Sequence, residues 1–300
     1  MPLLLVFVMG LFRIIQSVIN KTVSAHTNTT RKTLIFGGLF ESAAAVFSLC
    51  YLLISGFEGL HLTTFLCAAA MGLGFVAELL TALACMQRAP LGLCVLCSLG
   101  GGVVVPAVAG VFFFNEPLAA LQWVGIVLFF FAAWLLTPQS TASASVPFGK
   151  AIPFLVTNFL INGGLSLMSK YYAVIAKNAN PALFSCGSYA IAAVGFGILL
   201  LGFKENRAQQ AAAFPKKVYF FGGALGAVCA TLVFLMVYLA NAIPIVILNT
   251  VPSAICISGS VFIGRLLFKE KITAKHLFGA LLSVISIALT LSAPALFGLG

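Results

Sequence analysis

The chain has 300 residues, of which 62% are hydrophobic and 7% charged, with a formal net charge of +10. Soluble domains carry about 25% charged residues, so this chain has too little polar surface to coat a globule and reads as an all-α integral membrane protein. Its basic excess, which on a soluble chain would suggest nucleic acid, lies mainly at the ends of apolar segments and reports membrane orientation.

A helix crossing the hydrocarbon core needs about 20 apolar residues. Ten segments are expected to do so, at 2–21, 33–55, 62–86, 91–113, 118–137, 151–171, 181–202, 218–240, 244–267 and 273–293. A β-barrel would show alternating stretches of about ten residues instead. The first segment, opening Met1-Pro2-Leu3-Leu4-Leu5, has no basic leader and no small-residue cleavage site, so it is expected to stay as a span. It carries Arg13, Gln16, Ser17, Asn20 and Lys21 at three- and four-residue steps, hence on one helical face. Asn28-Thr29-Thr30, which follows, matches a short glycosylation sequon in a basic loop. The second and third segments hold Glu41 and Glu78.

Ionisable groups inside a membrane are costly and tend to be functional. Arg13, Glu41 and Glu78 each lie eight residues from the basic-side end of their helix, about 12 Å of depth at about 1.5 Å per residue. In one layer, the arginine neutralises one carboxylate and leaves the other to exchange a proton. The alternative is a static ion pair pinning three helices together.

The fourth segment contains Cys94-x-x-Cys97, Gly100-Gly101-Gly102 and Pro106. The cysteine pair has no second CxxC or histidine partner, so all eight cysteines read as small buried hydrophobes, with no metal or cofactor expected. Glu116 opens the fifth segment, where a carboxylate accepts backbone N–H bonds at a helix N-terminus, and Glu270 does the same for the tenth. The stretch Thr137-Pro138-Gln139-Ser140-Thr141-Ala142-Ser143-Ala144-Ser145 has linker composition. It divides the chain into a first five-helix repeat (1–137), a linker (138–149) and a second repeat (150–300).

The sixth segment repeats the polar stripe of the first with Asn158, Asn162, Ser166, Ser169 and Lys170. Such stripes line a cavity or serve as interhelical hydrogen-bonding glue, and the terminal Lys21 and Lys170 have the option of snorkelling to the interface. Tyr189, Tyr238 and Asn241 are candidate lining, and Gly222-x-x-x-Gly226 invites close helix packing. In the ninth segment Asn249-Thr250-Val251-Pro252 and Gly259 offer substrate contacts or a hinge.

The two halves share a register. Pro90, Glu116 and Gly125 are matched by Pro244, Glu270 and Gly279, each offset by 154 residues, and Ser17-Val18-Ile19-Asn20-Lys21 aligns with Ser166-Leu167-Met168-Ser169-Lys170. Five crossings per half put the second half in from the opposite side, so the repeat is expected to be inverted. Most basic residues fall after odd-numbered segments, against only Lys170 and Lys177 on the other side, which puts both termini outside by the positive-inside rule.

A glutamate at each corner between fourth and fifth helices, with a glycine nine residues on, resembles the drug/metabolite transporter superfamily, specifically its ten-helix EamA-like members. The resemblance covers nearly the whole chain and is clearest from Phe268-Lys269-Glu270-Lys271-Ile272-Thr273 through Gly279-Ala280-Leu281-Leu282-Ser283-Val284-Ile285-Ser286. The Asn20-Lys21 ending of the first helix is similar to the sugar-phosphate and nucleotide-sugar branch. The resemblance implies alternating access through a cavity lined by helices 1, 3, 4, 6, 8 and 9, with both termini cytoplasmic, against the charge count. The tryptophan common in the first helix of EamA-like exporters is absent.

The expected function is secondary active transport: proton-driven export of a small polar or amphipathic metabolite across the cytoplasmic (inner) membrane, with the small-molecule substrate, protons, membrane lipid and a second copy of the chain as partners and no nucleic acid. The same fold also suits an organic-anion or sugar-phosphate exchanger. An enzyme on lipid-linked substrates needs a catalytic cluster at the membrane surface, and the chain has no paired Asp/His and no aspartate at all, so it is not expected to be an enzyme. A non-transporting scaffold would not require matched polar stripes.

Overall fold

Among the described residues of the computed structural model ten helices follow one another: α1 (Pro2–Ser24), α2 (Thr30–Ser55), α3 (Leu62–Met86), α4 (Leu91–Phe113), α5 (Ala120–Leu136), α6 (Phe148–Ile175), α7 (Pro181–Gly202), α8 (Lys216–Leu239), α9 (Ile245–Phe268) and α10 (Ala274–Leu291). The structure describes residues 2–24, 26–27, 29–57, 59, 61–86, 88, 91–116, 118–136, 148–176, 180–202, 214–268 and 273–291, and no strand occurs among them. Each helix falls on one expected segment. Local capping sets several of the ends and explains the one shift at the start of α2. The Thr29 side chain accepts from the Lys32 backbone N–H at 3.3 Å and starts α2 at Thr30, earlier than the apolar run alone suggests. Gly56 closes that helix at a φ of +87°, a conformation open to glycine. At α7, Asn180 Oδ1 accepts from the N–H groups of Ala182 and Leu183, both at 3.1 Å, and Pro181 takes the first helical position, where its missing N–H costs nothing. Helix α6 begins at Phe148, inside the stretch assigned to the linker; linker residues 138–147 lie outside the described ones.

Among the described residues seven helices, α1, α2, α3, α6, α7, α8 and α10, are long and apolar enough to cross a membrane; α4, α5 and α9 give shorter apolar runs at Cys97–Phe113, Ala120–Leu136 and Ile245–Gly259. Leu53, Ile54, Leu201 and Leu266 are each more than three-quarters exposed, a surface that suits lipid and not water.

The helices pack into two compact units, and neither unit is one half of the sequence. Unit 1 comprises Met1–Ile14, Leu80–Tyr171 and Leu239–Gly300; unit 2 comprises Ile15–Leu79 and Tyr172–Tyr238. In unit 2, α2 packs against α7; in unit 1, α5 packs against α10 and α4 against α9. Each of these helices meets the one five places on in the chain. Hydrogen bonds fasten two of these pairs: Ser48 to Ser185 between α2 and α7 at 2.8 Å, and, between α5 and α10, Gln122 Nε2 to the Thr290 carbonyl at 3.2 Å and the Ser286 hydroxyl to the Gly125 carbonyl at 2.7 Å. Gln122 also accepts from the Ala119 N–H at 3.0 Å, which caps the start of α5.

Small residues set the closest approaches. In unit 2 a Cβ on Gly226 of α8 would come 2.6 Å from the Ala44 nitrogen of α2, so Gly226 packs backbone on backbone, while Gly222 lies against the Leu39 and Phe36 side chains. In unit 1 a Cβ on Gly101 of α4 would lie 1.9 Å from the Phe159 carbonyl oxygen of α6, and one on Gly163 would lie 2.3 Å from Val105 Cβ. Gly101 therefore serves close packing. Substituting Gly101→Ala is expected to lower stability by about 1–3 kcal/mol or more, because backbone atoms cannot step aside. Gly164, one residue from Gly163, has nothing within 4 Å, so Gly164→Ala should leave stability unchanged or slightly raised. Thermal unfolding of the two variants in one detergent checks this; equal melting temperatures would contradict the packing account.

Candidate functional site

Unit 2 holds ionisable groups inside an apolar core. Ile19, Phe36, Ala44, Leu225 and Ala230 pack with Tyr189 and Cys229, and Phe40 and Phe75 lie against them. Glu41, one turn from Ala44 on α2, is 3% exposed. Its carboxyl group lies close enough to Glu78 of α3 for the two to interact electrostatically, and both act on the Tyr189 hydroxyl of α7. Phe75 and Glu78, three residues apart, share a face of α3, and the Phe75 ring stacks on Tyr189 with centroids 5.1 Å apart. The Tyr189 hydroxyl donates to the Cys229 carbonyl of α8 at 2.8 Å, and Gln16 Nε2 of α1 donates to the Cys229 thiol at 3.5 Å. Five helices, three from the first half of the sequence and two from the second, thus contribute to one polar cluster.

Glu41 Oε2 has no hydrogen-bond partner among the described residues. A buried carboxylate left ionised and unsatisfied costs several kcal/mol, and uptake of a proton removes that cost. The chemistry available to the cluster is reversible proton binding beside an aromatic wall. Of the expected charged layer, the structure brings Glu41 and Glu78 together. Arg13 falls in unit 1, where its carbonyl oxygen accepts from the Cys256 thiol at 3.3 Å.

The other sequence candidates occupy varied settings. Asn158 of α6 is fully buried and donates to the Ser98 hydroxyl of α4 at 2.6 Å, while Asn162 donates to Asn158 Oδ1 at 3.1 Å and to its carbonyl at 2.9 Å. This chain of amides joins α4 to α6. Ser166 lies beside Gly102, whose added Cβ would stand 3.6 Å from its hydroxyl. Asn249 is buried and donates to the Ile245 carbonyl one turn back in α9 at 2.9 Å. Asn20 is exposed on α1. Tyr238 is 60% exposed and stacks on Phe234. Cys85, Cys94 and Cys97 pack with Ala151 and Leu155 in a small apolar cluster of unit 1, and no three His, Cys, Asp or Glu among the described residues are placed to hold a metal ion.

In unit 1 one expectation is corrected and one open alternative is removed. Glu116 is a helix cap, but of α9 and not of α5: its Oε2 accepts from the Ile245 N–H at 2.9 Å. Its Oε1 pairs with Lys170 Nζ at 2.7 Å. Lys170 does not snorkel to an interface; it is buried, donates also to the Ala240 carbonyl, and lies over the Phe114 ring at 5.9 Å. An acidic partner within reach outweighs the interface for this lysine. Glu270, the matching corner residue, lies outside the described residues.

Seven helices long and apolar enough to cross a membrane among the described residues mark the chain as a multi-pass membrane protein. No family model and no curated protein matches it. Among solved structures, one described only as the crystal structure of a protein is similar to this chain with a TM-score of 0.75 and 12% identity, over 96% of each chain. At that identity the likeness concerns the fold alone.

Proposed function

We propose that the protein is a secondary active transporter of ten membrane spans in two inverted five-helix repeats, resembling EamA-like members of the drug/metabolite transporter superfamily. It exports a small polar or amphipathic metabolite across the cytoplasmic membrane in exchange for protons, with Glu41 and Glu78 as the proton-coupling groups. The observation that carries this reading is the buried Glu41, one oxygen of which has no hydrogen-bond partner among the described residues, beside Glu78 and Tyr189 in a cluster shared by helices of both halves. The pairing of α2 with α7, α4 with α9 and α5 with α10 supports the repeat. The organic-anion exchanger gains no support from Lys170, whose charge is already matched by Glu116.

A thermal-shift screen on the purified protein tests the reading, using amino acids, nucleosides, sugar phosphates and organic cations at two pH values. One class is expected to raise the melting temperature in a pH-dependent way and, in proteoliposomes, to move when a pH gradient is imposed. If no class stabilises the protein and none is moved, the transport reading falls.

A further inference from the structure

The chain passes from one unit to the other between Ile14 and Ile15, Leu79 and Leu80, Tyr171 and Tyr172, and Tyr238 and Leu239. Lys170 stands just before the third passage, and Ala240 one residue beyond Leu239 at the fourth. The Lys170–Ala240 hydrogen bond therefore joins the chain at two of its four passages. Glu116 adds the α4–α5 corner and the first turn of α9 to the same knot, and its own N–H donates to the Gly110 carbonyl at 3.0 Å. The side chains of Lys170 and Glu116 are 6% and 19% exposed, so both charges are held largely out of water.

We propose that the Lys170–Glu116 pair is a water-operated latch: closed, it holds the α8–α9 turn against α6 and the α4–α5 corner, and it opens when water enters and hydrates the two charges during the transport cycle. The inference rests on the transport reading for its role in the cycle, though not for the latch itself. An ion pair suits this use because its two states are nearly balanced. Buried, the mutual attraction roughly offsets the cost of desolvation; in water, the same pair is held by little. An apolar contact at this position would resist wetting in every state.

That balance gives a sign that a plain structural prop does not share. Breaking the pair on one side only, by Glu116→Gln, leaves a buried charge that seeks water and favours the open state. Removing both charges, by Lys170→Met with Glu116→Gln, leaves an apolar side chain that favours the closed state, while the new amide keeps an oxygen for the Ile245 N–H. Ile243, in the turn, is 2% exposed, so a thiol introduced there by Ile243→Cys reports opening. The test follows alkylation of that thiol by a hydrophilic maleimide, read by peptide mass spectrometry on full-length protein in detergent.

Glu116→Gln is expected to speed the reaction about tenfold or more, the shift that about 1.4 kcal/mol produces, and the double variant to slow it below the rate of the parent. Lys170→Met alone serves as a second single variant should Glu116→Gln fail to fold, with the same direction expected. A double variant that reacts faster than the parent would make the pair an ordinary prop and overturn the latch, as would single variants with the parent's rate. Failure to find any transported solute overturns the transport reading and leaves the labelling result standing.

Discussion

Lys170→Met is expected to destabilise the protein by about 3–5 kcal/mol, the cost of leaving one member of a buried ion pair without its counterpart. In the native fold both oxygens of Glu116 are used, one by Lys170 Nζ at 2.7 Å and one by the Ile245 N–H at 2.9 Å. The methionine fills the volume of the lysine stem but offers nothing to Oε1. Glu116→Gln has the converse fault: the cap on α9 survives through the amide oxygen, and the ammonium of Lys170 is left facing an amide. The Ala240 carbonyl still accepts from Lys170, so this variant is expected at the lower end of the range. Combining the two substitutions is expected to return stability to within about 1 kcal/mol of the parent, because replacing a whole buried pair is often neutral or stabilising. The cycle needs four proteins and one unfolding assay. Singles that each cost less than about 1 kcal/mol, or a double variant as poor as the sum of the singles, would mean that the two charges do not recognise each other in the folded protein.

Helix positions are readable in the sequence because an apolar run long enough to span a membrane is ended by specific chemistry: Gly56 after α2 and Asn180-Pro181 before α7. Such capping depends on residues within a few positions of each other. That Glu41 and Glu78 come level with each other is readable too, since rise per residue converts sequence position into height. Height does not tell which neighbour a side chain meets. Glu116 is recognisable as a cap, but the helix it caps begins 129 residues later in the chain, and no local pattern points that far. Lys170 reads equally as a cavity-lining or an interfacial lysine because its partner comes from the corner between α4 and α5. Phe75 and Cys229 carry no signal at all: one is an aromatic residue in an apolar helix, the other a cysteine among eight. Their roles come from the stacking on Tyr189 and from the hydrogen bonds that Cys229 receives.

Glu41→Gln is expected to abolish the response of transport to a pH gradient while leaving the protein folded. Gln is nearly isosteric with Glu, so the packing of Ala44 and Phe36 around α2 has no reason to change. What changes is that the amide cannot take up or release a proton at any pH in the working range. The buried Oε2, without a partner among the described residues, is the atom that a carboxyl proton would occupy, and Glu78 and Tyr189 are the groups whose electrostatics it would alter. Gradient-driven uptake in proteoliposomes of a solute found by the thermal-shift screen should fall to background in Glu41→Gln and in Glu78→Gln. Full coupled transport in both variants would remove the carboxylates from the mechanism. A second measurement needs no substrate: the infrared difference spectrum of the parent between two pH values should contain the carbonyl stretch of a protonated carboxyl group, and that band should be lost in Glu41→Gln. Tyr189→Phe separates positioning from proton transfer. It deletes the 2.8 Å hydrogen bond to the Cys229 carbonyl, at a cost of about 1 kcal/mol, but keeps the ring on Phe75. Coupling that survives in Tyr189→Phe and fails in Glu41→Gln would assign the transferred proton to the carboxyl pair, with the tyrosine as its support.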